Sequence, residues 1–295
     1  MITNDAGSIL EEVTEAYKLQ INEYFEKNRD NMTARNVLAQ RKVGANVEID
    51  VVMKYDRRGP GAQIVAKGGS PDKTGVTGTP TYFPLYQIAA GFSVNAKDMK
   101  IDGKIKNRNL EVAMGDIKRA EDNLAINGNS TYNITGIVGA ARANTNGKIA
   151  ASGGTYNNAG AWSGETGTDI YSVIKLAIDL MDDRYEPAFI LGNKITTGKL
   201  DRMSSERIPY YMEIASLFGK SNPKDKSFIW TSAYVPTGYA YVVAKDMEAG
   251  EWVVSENPRV VPYAVAPGEN YPFEILSWAT PEIHCNEAFV EIAIT

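Results

Sequence analysis

The segment from residue 107 to residue 127 constrains the fold most, because it has the pattern of one long amphipathic helix. Its apolar residues recur every three or four positions, and its charged residues fall on the other faces. The apolar stripe comprises Leu110, Ala113, Met114, Ile117, Ala120 and Leu124, with Glu111, Asp116, Lys118, Arg119 and Asp122 outside it. Such a helix spans roughly 31 Å at about 1.5 Å per residue. Asn127-Gly128 then supplies the left-handed position at which helices stop, so we predict a long structural helix that ends there.

Size and composition indicate a globular protein with mixed α and β structure. The 295 residues, of which 43% are hydrophobic, suffice for one large or two medium domains. The single cysteine excludes an internal disulfide framework, and we expect intracellular synthesis because the N-terminus has no signal-peptide pattern. A net charge of −5 with scattered basic residues argues against binding nucleic acid through a basic face, although it is compatible with enclosing nucleic acid.

The N-terminal part contains a second amphipathic pattern and then a long stretch without a core. Residues 8–27 predict a helix that either docks on its own domain or packs under a neighbouring subunit, and the sequence does not choose between the two. Residues 54–84 are rich in glycine and proline and poor in apolar side chains. They predict an extended hairpin or loop. Loops of this length without a core are usually either functional or disordered, and a surface loop is the simpler alternative, but a loop that reaches another subunit would explain the length.

The remaining patterns alternate between helix and strand. We predict strands at 47–53, where apolar and polar residues alternate, and at 81–94, a surface loop at 140–168, helices at 169–183 and 196–205, and strands at 188–192, 227–230, 239–243, 252–254, 271–278 and 288–294.

Side chains that could perform catalysis or bind a metal are scarce. The only histidine, His284, precedes the only cysteine, Cys285, and neighbouring strand residues point to opposite faces. The acidic residues Asp179, Asp182, Asp183 and Glu186 are typical of a solvated helix end. We therefore predict no catalytic, cofactor-binding or metal-binding residue and no cofactor. A small-molecule enzyme with a carboxylate site near Asp182 and Asp183 is a remote alternative.

Several short segments, in their order along the chain, resemble encapsulins and the related major capsid proteins of tailed phages. They are Pro84 to Ala89, Glu121-Asp122, Ile126-Asn127-Gly128, Gly136-Ile137, the run from Asp183 to Gly192, and the C-terminal pieces Tyr271-Pro272-Phe273, Thr280 to Ile283 and Glu287 to Val290. The resemblance implies an α+β fold of the Hong-Kong-97 capsid type.

This resemblance also implies a division of the chain into parts. The parts are an N-terminal arm at 1–42, a peripheral domain at 43–137 with an extended loop at 54–84 and a spine helix at 107–127, an axial domain at 138–262, and strands at 263–295 that return to the peripheral domain.

The implied function is a structural subunit without enzymatic activity. Such a chain assembles with itself into pentamers and hexamers of an icosahedral shell that encloses viral double-stranded DNA without sequence specificity. The implied location is the virion capsid, assembled in the host cytoplasm, with scaffold, portal or decoration proteins as further partners and no membrane. The alternative is an encapsulin compartment that encloses a cargo enzyme, but the N-terminal region differs from the usual encapsulin start. Lys67 and Lys73 lie in the loop from which some capsid proteins of this fold form covalent cross-links.

Overall fold

The structure, a computed structural model, contains helices and strands in both halves of the chain, as predicted for an α+β fold. It describes residues 5–28, 31–45, 47–58, 75–95, 108–145, 147–149, 170–203, 207–262 and 270–294. The α-helices are α1 (Asp5–Asn28), α2 (Thr33–Val37), α3 (Arg108–Asn127), α4 (Ile137–Ala143), α5 (Ile170–Asp179), α6 (Lys194–Gly198) and α7 (Tyr210–Ile214). The strands are β1 (Ala39–Lys42), β2 (Ile49–Arg58), β3 (Gly75–Pro84), β4 (Gln87–Asn95), β5 (Gly128–Asn129), β6 (Ile134–Thr135), β7 (Lys148–Ile149), β8 (Pro187–Gly192), β9 (Ile229–Thr231), β10 (Tyr239–Ala244), β11 (Gly250–Pro262), β12 (Asn270–Ile283) and β13 (Phe289–Ala293).

A four-stranded sheet with the order β1-β11-β12-β4 carries the two long helices α1 and α3. The apolar stripes of both helices pack against the sheet, and the buried side chains form one hydrophobic cluster. Tyr17 of α1 lies at the centre, fully buried, with its ring edge-on to Phe92 and Phe273 at centroid distances of 5.7 and 5.3 Å. Aromatic pairs at these distances stabilise a core beyond the area that they bury.

A five-stranded sheet with the order β7-β13-β10-β8-β9 forms the centre of a second, larger cluster. Strand β10 is buried from Ala240 to Ala244, because it lies between β13 and β8 in the middle of the sheet. Helix α5 packs on this sheet through Val173, Ile174 and Ala177, which are fully buried. The run of five buried residues in β10 is the pattern expected for a strand covered on both faces.

The long helix has the predicted bounds, but its buried face changes along its length. Up to Ile117 the predicted stripe is buried, whereas Ala120 is exposed and Glu121, Asp122, Ala125 and Ile126 are buried. The reason is that the second half of α3 packs against α2 and α4.

Two charged side chains of α3 bind α2. Arg35 donates hydrogen bonds from Nε and Nη2 to the carboxylate of Glu121, both at 2.9 Å, and Ser277 donates a third at 2.8 Å. The backbone N–H of Ala34 donates to Oδ1 of Asp122 at 2.9 Å. The prediction that Asp122 lies outside the buried stripe is therefore wrong, because its partner is an amide at the start of α2.

Two predicted elements have different bounds in the structure. The single strand predicted at 81–94 is two strands, since β3 ends at Pro84 and β4 begins at Gln87. The loop predicted from residue 140 begins later, because α4 runs from Ile137 to Ala143 and buries four apolar residues in the larger cluster. Much of the rest of the predicted loop, residues 150–169, lies outside the described residues.

Both chain ends pack with the larger sheets. Helix α1 packs against its own chain, one of the two arrangements expected for it, and its buried residues from Val13 to Phe25 belong to the first cluster together with Met32, while β1 pairs in parallel with β11. Of the two C-terminal strands, β12 pairs with β4 as expected, but β13 pairs with β10 in the five-stranded sheet. The domain boundaries themselves stay a prediction.

Among the described helices, none is both long enough and apolar enough to cross a membrane.

Candidate functional site: the ribbon and the charged cluster at its root

Strands β2 and β3 form a two-stranded antiparallel ribbon that corresponds to the predicted extended hairpin. They pair over ten residues, from Ile49 opposite Pro84 to Arg58 opposite Gly75. The ribbon forms a sheet of its own, apart from both larger sheets. A two-stranded ribbon is marginally stable by itself in water, so it needs packing against another surface.

One face of the ribbon is apolar and exposed. We call it the outer face, and it comprises Ile49, Val51, Met53, Pro80, Tyr82 and Pro84. These residues share a face because side chains alternate along a strand and the register places Val51 opposite Tyr82. Ile49 is 56% exposed and Tyr82 is 65% exposed. Contiguous exposed apolar residues of this kind are typical of a protein–protein contact surface.

The opposite, inner face binds the four-stranded sheet at the root of the ribbon. Its members Asp50 and Phe83 lie directly opposite each other on β2 and β3. Phe83 packs its ring edge-on to His284 at a centroid distance of 5.4 Å. Asp50 accepts a hydrogen bond from Arg41 of β1. The ribbon is thus fastened at one point by an aromatic contact and an ion pair.

Arg41 is the centre of a charged cluster formed by four elements. It donates to Asp50 of β2 and Glu251 of β11, and its Nη2 also donates to Glu282 of β12 at 3.0 Å. Glu251 and Glu282 are buried and lie directly opposite each other in the sheet, a destabilising arrangement for two like charges unless a cation lies beside them. Arg41 provides that cation, and His284 Nε2 lies 3.7 Å from Glu251.

The pKa values within the cluster move apart. Burial disfavours the charged form of Arg41, but hydrogen bonds to Asp50 and Glu251 outweigh it, so the pKa of the guanidinium is raised. Burial would raise the pKa of Asp50, but its hydrogen bond with Arg41 lowers it below the usual value. Burial, followed by the charge of Asp50, raises the pKa of Glu282 to about 8. The pKa values of Asp50 and Glu282 are therefore shifted in opposite directions from their ordinary values.

Glu251, Glu282 and His284 also form the kind of group that holds a metal ion, since their ligand atoms lie within 4.8 Å of one another. Arg41, however, already binds both carboxylates. A divalent ion at the same place would face a fixed positive charge within hydrogen-bonding distance of its ligands. The donor set is better explained as the counter-charge of an arginine.

The acidic residues Asp182 and Asp183, considered as a remote carboxylate site, lie beyond the end of α5. Arg184 binds Asp182 through its guanidinium and its backbone N–H, and these hydrogen bonds lower the pKa of Asp182 to about 2. Asp183 is exposed. A carboxylate held ionised by an arginine at the surface is a poor general acid or base at neutral pH, so the group is a solvated turn.

His284 and Cys285 contact different surroundings, as their adjacency predicts. His284 lies beside Phe83 and Glu251, whereas Cys285 Sγ donates to Glu287 at 3.0 Å. Burial raises the pKa of the Cys285 thiol, which makes it a weak nucleophile at neutral pH. Lys67 and Lys73, considered for cross-linking, lie outside the described residues.

The Arg41 cluster is the part of the site that sequence patterns do not reveal. Its members come from positions 41, 50, 251 and 282, which belong to four different strands and are far apart in the sequence apart from the pair 41 and 50. No local pattern in the sequence connects them.

The chain is similar in structure to shell-forming proteins. No protein-family model and no curated protein matches it. Among solved structures, it superposes with a TM-score of 0.62 on a virus-like particle protein from Pyrococcus furiosus, at 14% identity over 95% of this chain and 99% of that one. The capsid of Myoviridae phage XM1 matches with a TM-score of 0.60 at 12% identity, over 89% of this chain and 91% of that one. The SrpI encapsulin from Synechococcus elongatus matches with 0.57 at 11% identity, over 87% and 85%. The chain therefore has the Hong-Kong-97-type capsid fold.

Proposed function

We propose that this protein is the structural subunit of an icosahedral shell, a major capsid protein that assembles with itself and has no enzymatic activity. The observation that carries the proposal is the outer face of the ribbon, which exposes an apolar surface on an element that needs packing to be stable. A neighbouring copy of the same chain covers it in a closed symmetric assembly. The similarity of the whole fold to capsid proteins supports this assignment.

Two hydrophobic clusters support a division of the subunit into two parts, and the larger cluster also includes Trp252, Val254 and Ala279 of the four-stranded sheet. The four-stranded sheet with α1 and α3 forms the peripheral domain, and the five-stranded sheet forms the axial domain. In this arrangement α3 is the spine of the peripheral domain, and its second half also contacts the other part through α4. The ribbon is the extended loop that reaches a neighbour.

The shell encloses viral double-stranded DNA, and the subunit resides in the virion capsid after assembly in the host cytoplasm. The net charge of −5 fits a wall that encloses DNA without binding its phosphates tightly. Portal, scaffold and decoration proteins are the partners that such a shell uses.

An encapsulin compartment with a protein cargo is the second candidate, because an encapsulin is among the similar structures. The contents of particles purified from the native host distinguish the two functions. Nuclease-resistant double-stranded DNA of uniform length supports a virion, whereas a stoichiometric second protein without DNA would replace the proposal by the encapsulin function.

Assembly is tested first with the unmodified chain. Size-exclusion chromatography and negative-stain microscopy should show closed particles, and a uniform small oligomer that never forms particles contradicts the proposal.

The outer face is then tested by Val51→Lys together with Tyr82→Glu, at two positions that face each other on the ribbon. Two charges on this face should abolish particle formation while thermal unfolding of the subunit changes little, because both side chains are largely exposed in the single chain and opposite charges at facing positions do not repel each other. Val51→Thr is the matched control, since it keeps the shape without a charge and should still assemble. Normal particles from the doubly charged variant would exclude the outer face as an assembly surface.

A further inference from the structure

The root of the ribbon combines more carboxylates than cations in a buried place, and this excess has a mechanical consequence. We propose that Asp50 and Glu282 form a proton-operated latch: one shared proton holds the ribbon on the four-stranded sheet, and loss of that proton releases it. The inference concerns how the ribbon is held within one chain, and it goes beyond the shell function.

The geometry places both carboxyl groups on one donor. Nη2 of Arg41 donates to Oδ2 of Asp50 and to Oε2 of Glu282, so the two side chains converge from the ribbon and from β12 on the same nitrogen. Because both accept from one nitrogen, the two carboxyl groups lie next to each other. A direct bond between them requires that one of them carries a proton, because an ionised carboxylate has only acceptors.

The charge balance favours that proton. The groups that face Glu282 are Arg41 from β1, Asp50 from β2 and Glu251 from β11, and His284, just after β12, lies beside Glu251. Three ionised carboxylates against one guanidinium would leave two excess negative charges in a buried site, an arrangement that costs much free energy. In addition, Oε1 of Glu282 is buried without a hydrogen-bond partner, which penalises the ionised form further.

The direction of the pH effect follows from Glu282. Burial and then the charge of Asp50 raise its pKa to about 8. A carboxyl group whose pKa is raised in the folded state stabilises that state at low pH, and the contribution disappears as the pH rises through the raised value. The latch is closed at neutral pH and opens above about pH 8. The ionised Glu282 then repels Asp50, and the aromatic contact between Phe83 and His284 is left to hold the ribbon.

The test measures the position of the ribbon relative to the sheet. In the full chain carrying Cys285→Ser, spin labels on Met53→Cys of β2 and Asn257→Cys of β11 report the distance between them by pulsed electron paramagnetic resonance, with labelled chains diluted in unlabelled ones. From pH 6.5 to 7.5 we expect one narrow distance distribution. Above pH 8 a second, broad distribution should grow, by up to about tenfold per pH unit until it saturates.

Three further variants decide the outcome. Glu282→Gln keeps a donor for Asp50 without a titrating proton, so its distribution should stay narrow up to pH 9.5. Asp50→Asn removes the opposing charge and should also lack the transition. Glu111→Gln, at an exposed position of α3, should keep it. A wild-type distribution that stays narrow to pH 9.5, broadening of Glu282→Gln at the same pH as wild type, or loss of the transition in Glu111→Gln each overturns the latch.

Discussion

The backbones of Gly128 and Gly136 are in contact: a Cβ atom on Gly128 would lie 2.6 Å from the amide nitrogen of Gly136. Gly128 ends the long helix in the left-handed conformation with φ +70°, and its strand β5 pairs with β6 just before Gly136. The contact lets the chain leave α3 and enter α4 within a few residues. The two glycines belong to the sequence segments that resemble capsid proteins. Any larger residue at either position would collide with the backbone, which explains why glycines occur here.

Replacing Gly128 by Ala is expected to cost about 2–5 kcal/mol, because the left-handed conformation and the collision with backbone atoms both oppose a side chain. Gly136→Ala should have a similar effect, since its Cβ would lie 2.6 Å from the carbonyl oxygen of Ile126. The matched control is Gly198→Ala in α6, where no atom lies within 4 Å of the added Cβ, and this variant should be as stable as wild type or more. Urea unfolding of the full chain measures the stability of all three variants. Equal unfolding midpoints for Gly128→Ala, Gly136→Ala and Gly198→Ala would contradict the prediction.

Arg35 and Glu121 form the ion pair that joins α2 to the long helix. Arg35→Met leaves the fully buried Glu121 without its cation, and we expect a loss of about 3–5 kcal/mol in the free energy of unfolding. Adding Glu121→Gln should recover part of the loss, because it removes the orphaned charge. Arg119→Met is the control, since its pair with Asp116 is exposed to solvent and should contribute little to the free energy of unfolding. If both methionine variants unfold at the same urea concentration, the buried ion pair contributes no more to stability than the exposed one.

The sequence predicted the long helix because both of its signals are local, namely the apolar spacing and the Asn127-Gly128 stop. It could not place Glu121 and Asp122 inside, since their partners Arg35 and Ala34 lie 86 and 88 residues away along the chain. The same limit applies to the ribbon. Alternation predicts a strand near Val51, but only the register with Tyr82 shows that an apolar face is exposed. The placement of β13 beside β10 was likewise unreadable, because both possible sheets accept an apolar strand.

Asp122 provides a test of pH dependence. Burial raises its pKa to about 6, although the Ala34 amide bound to it acts in the opposite direction. Because the raised value belongs to the folded state, the contribution of this group to stability is complete below its ordinary value near 4 and is lost as the pH rises through about 6. Asp122→Asn keeps an acceptor for the amide and removes the charge. Its stability relative to wild type should therefore increase by about 1–2 kcal/mol from pH 5 to pH 8.

The comparison with Asp122→Ala separates the cap from the charge. Alanine also removes the charge but leaves the Ala34 amide without its acceptor, so it should be less stable than the asparagine variant by about 1 kcal/mol at either pH. Urea unfolding at pH 5 and pH 8 gives all the values. A difference between wild type and Asp122→Asn that does not change with pH would show that Asp122 does not titrate in this window.

Gly115 lies in the middle of the long helix without any packing requirement for glycine. An added Cβ would lie 3.8 Å from Oη of Tyr24 and 4.0 Å from Nη1 of Arg119, which are ordinary contact distances. Gly115→Ala should therefore stabilise the subunit by about 0.5–1 kcal/mol, and Ala120→Gly at an exposed position of the same helix should cost a similar amount. If the helix bends at this glycine while the shell matures, the alanine variant should form initial particles but expand them more slowly, as time-resolved small-angle scattering would show. If Gly115→Ala is more stable but its particles expand at the wild-type rate, the helix does not bend at Gly115.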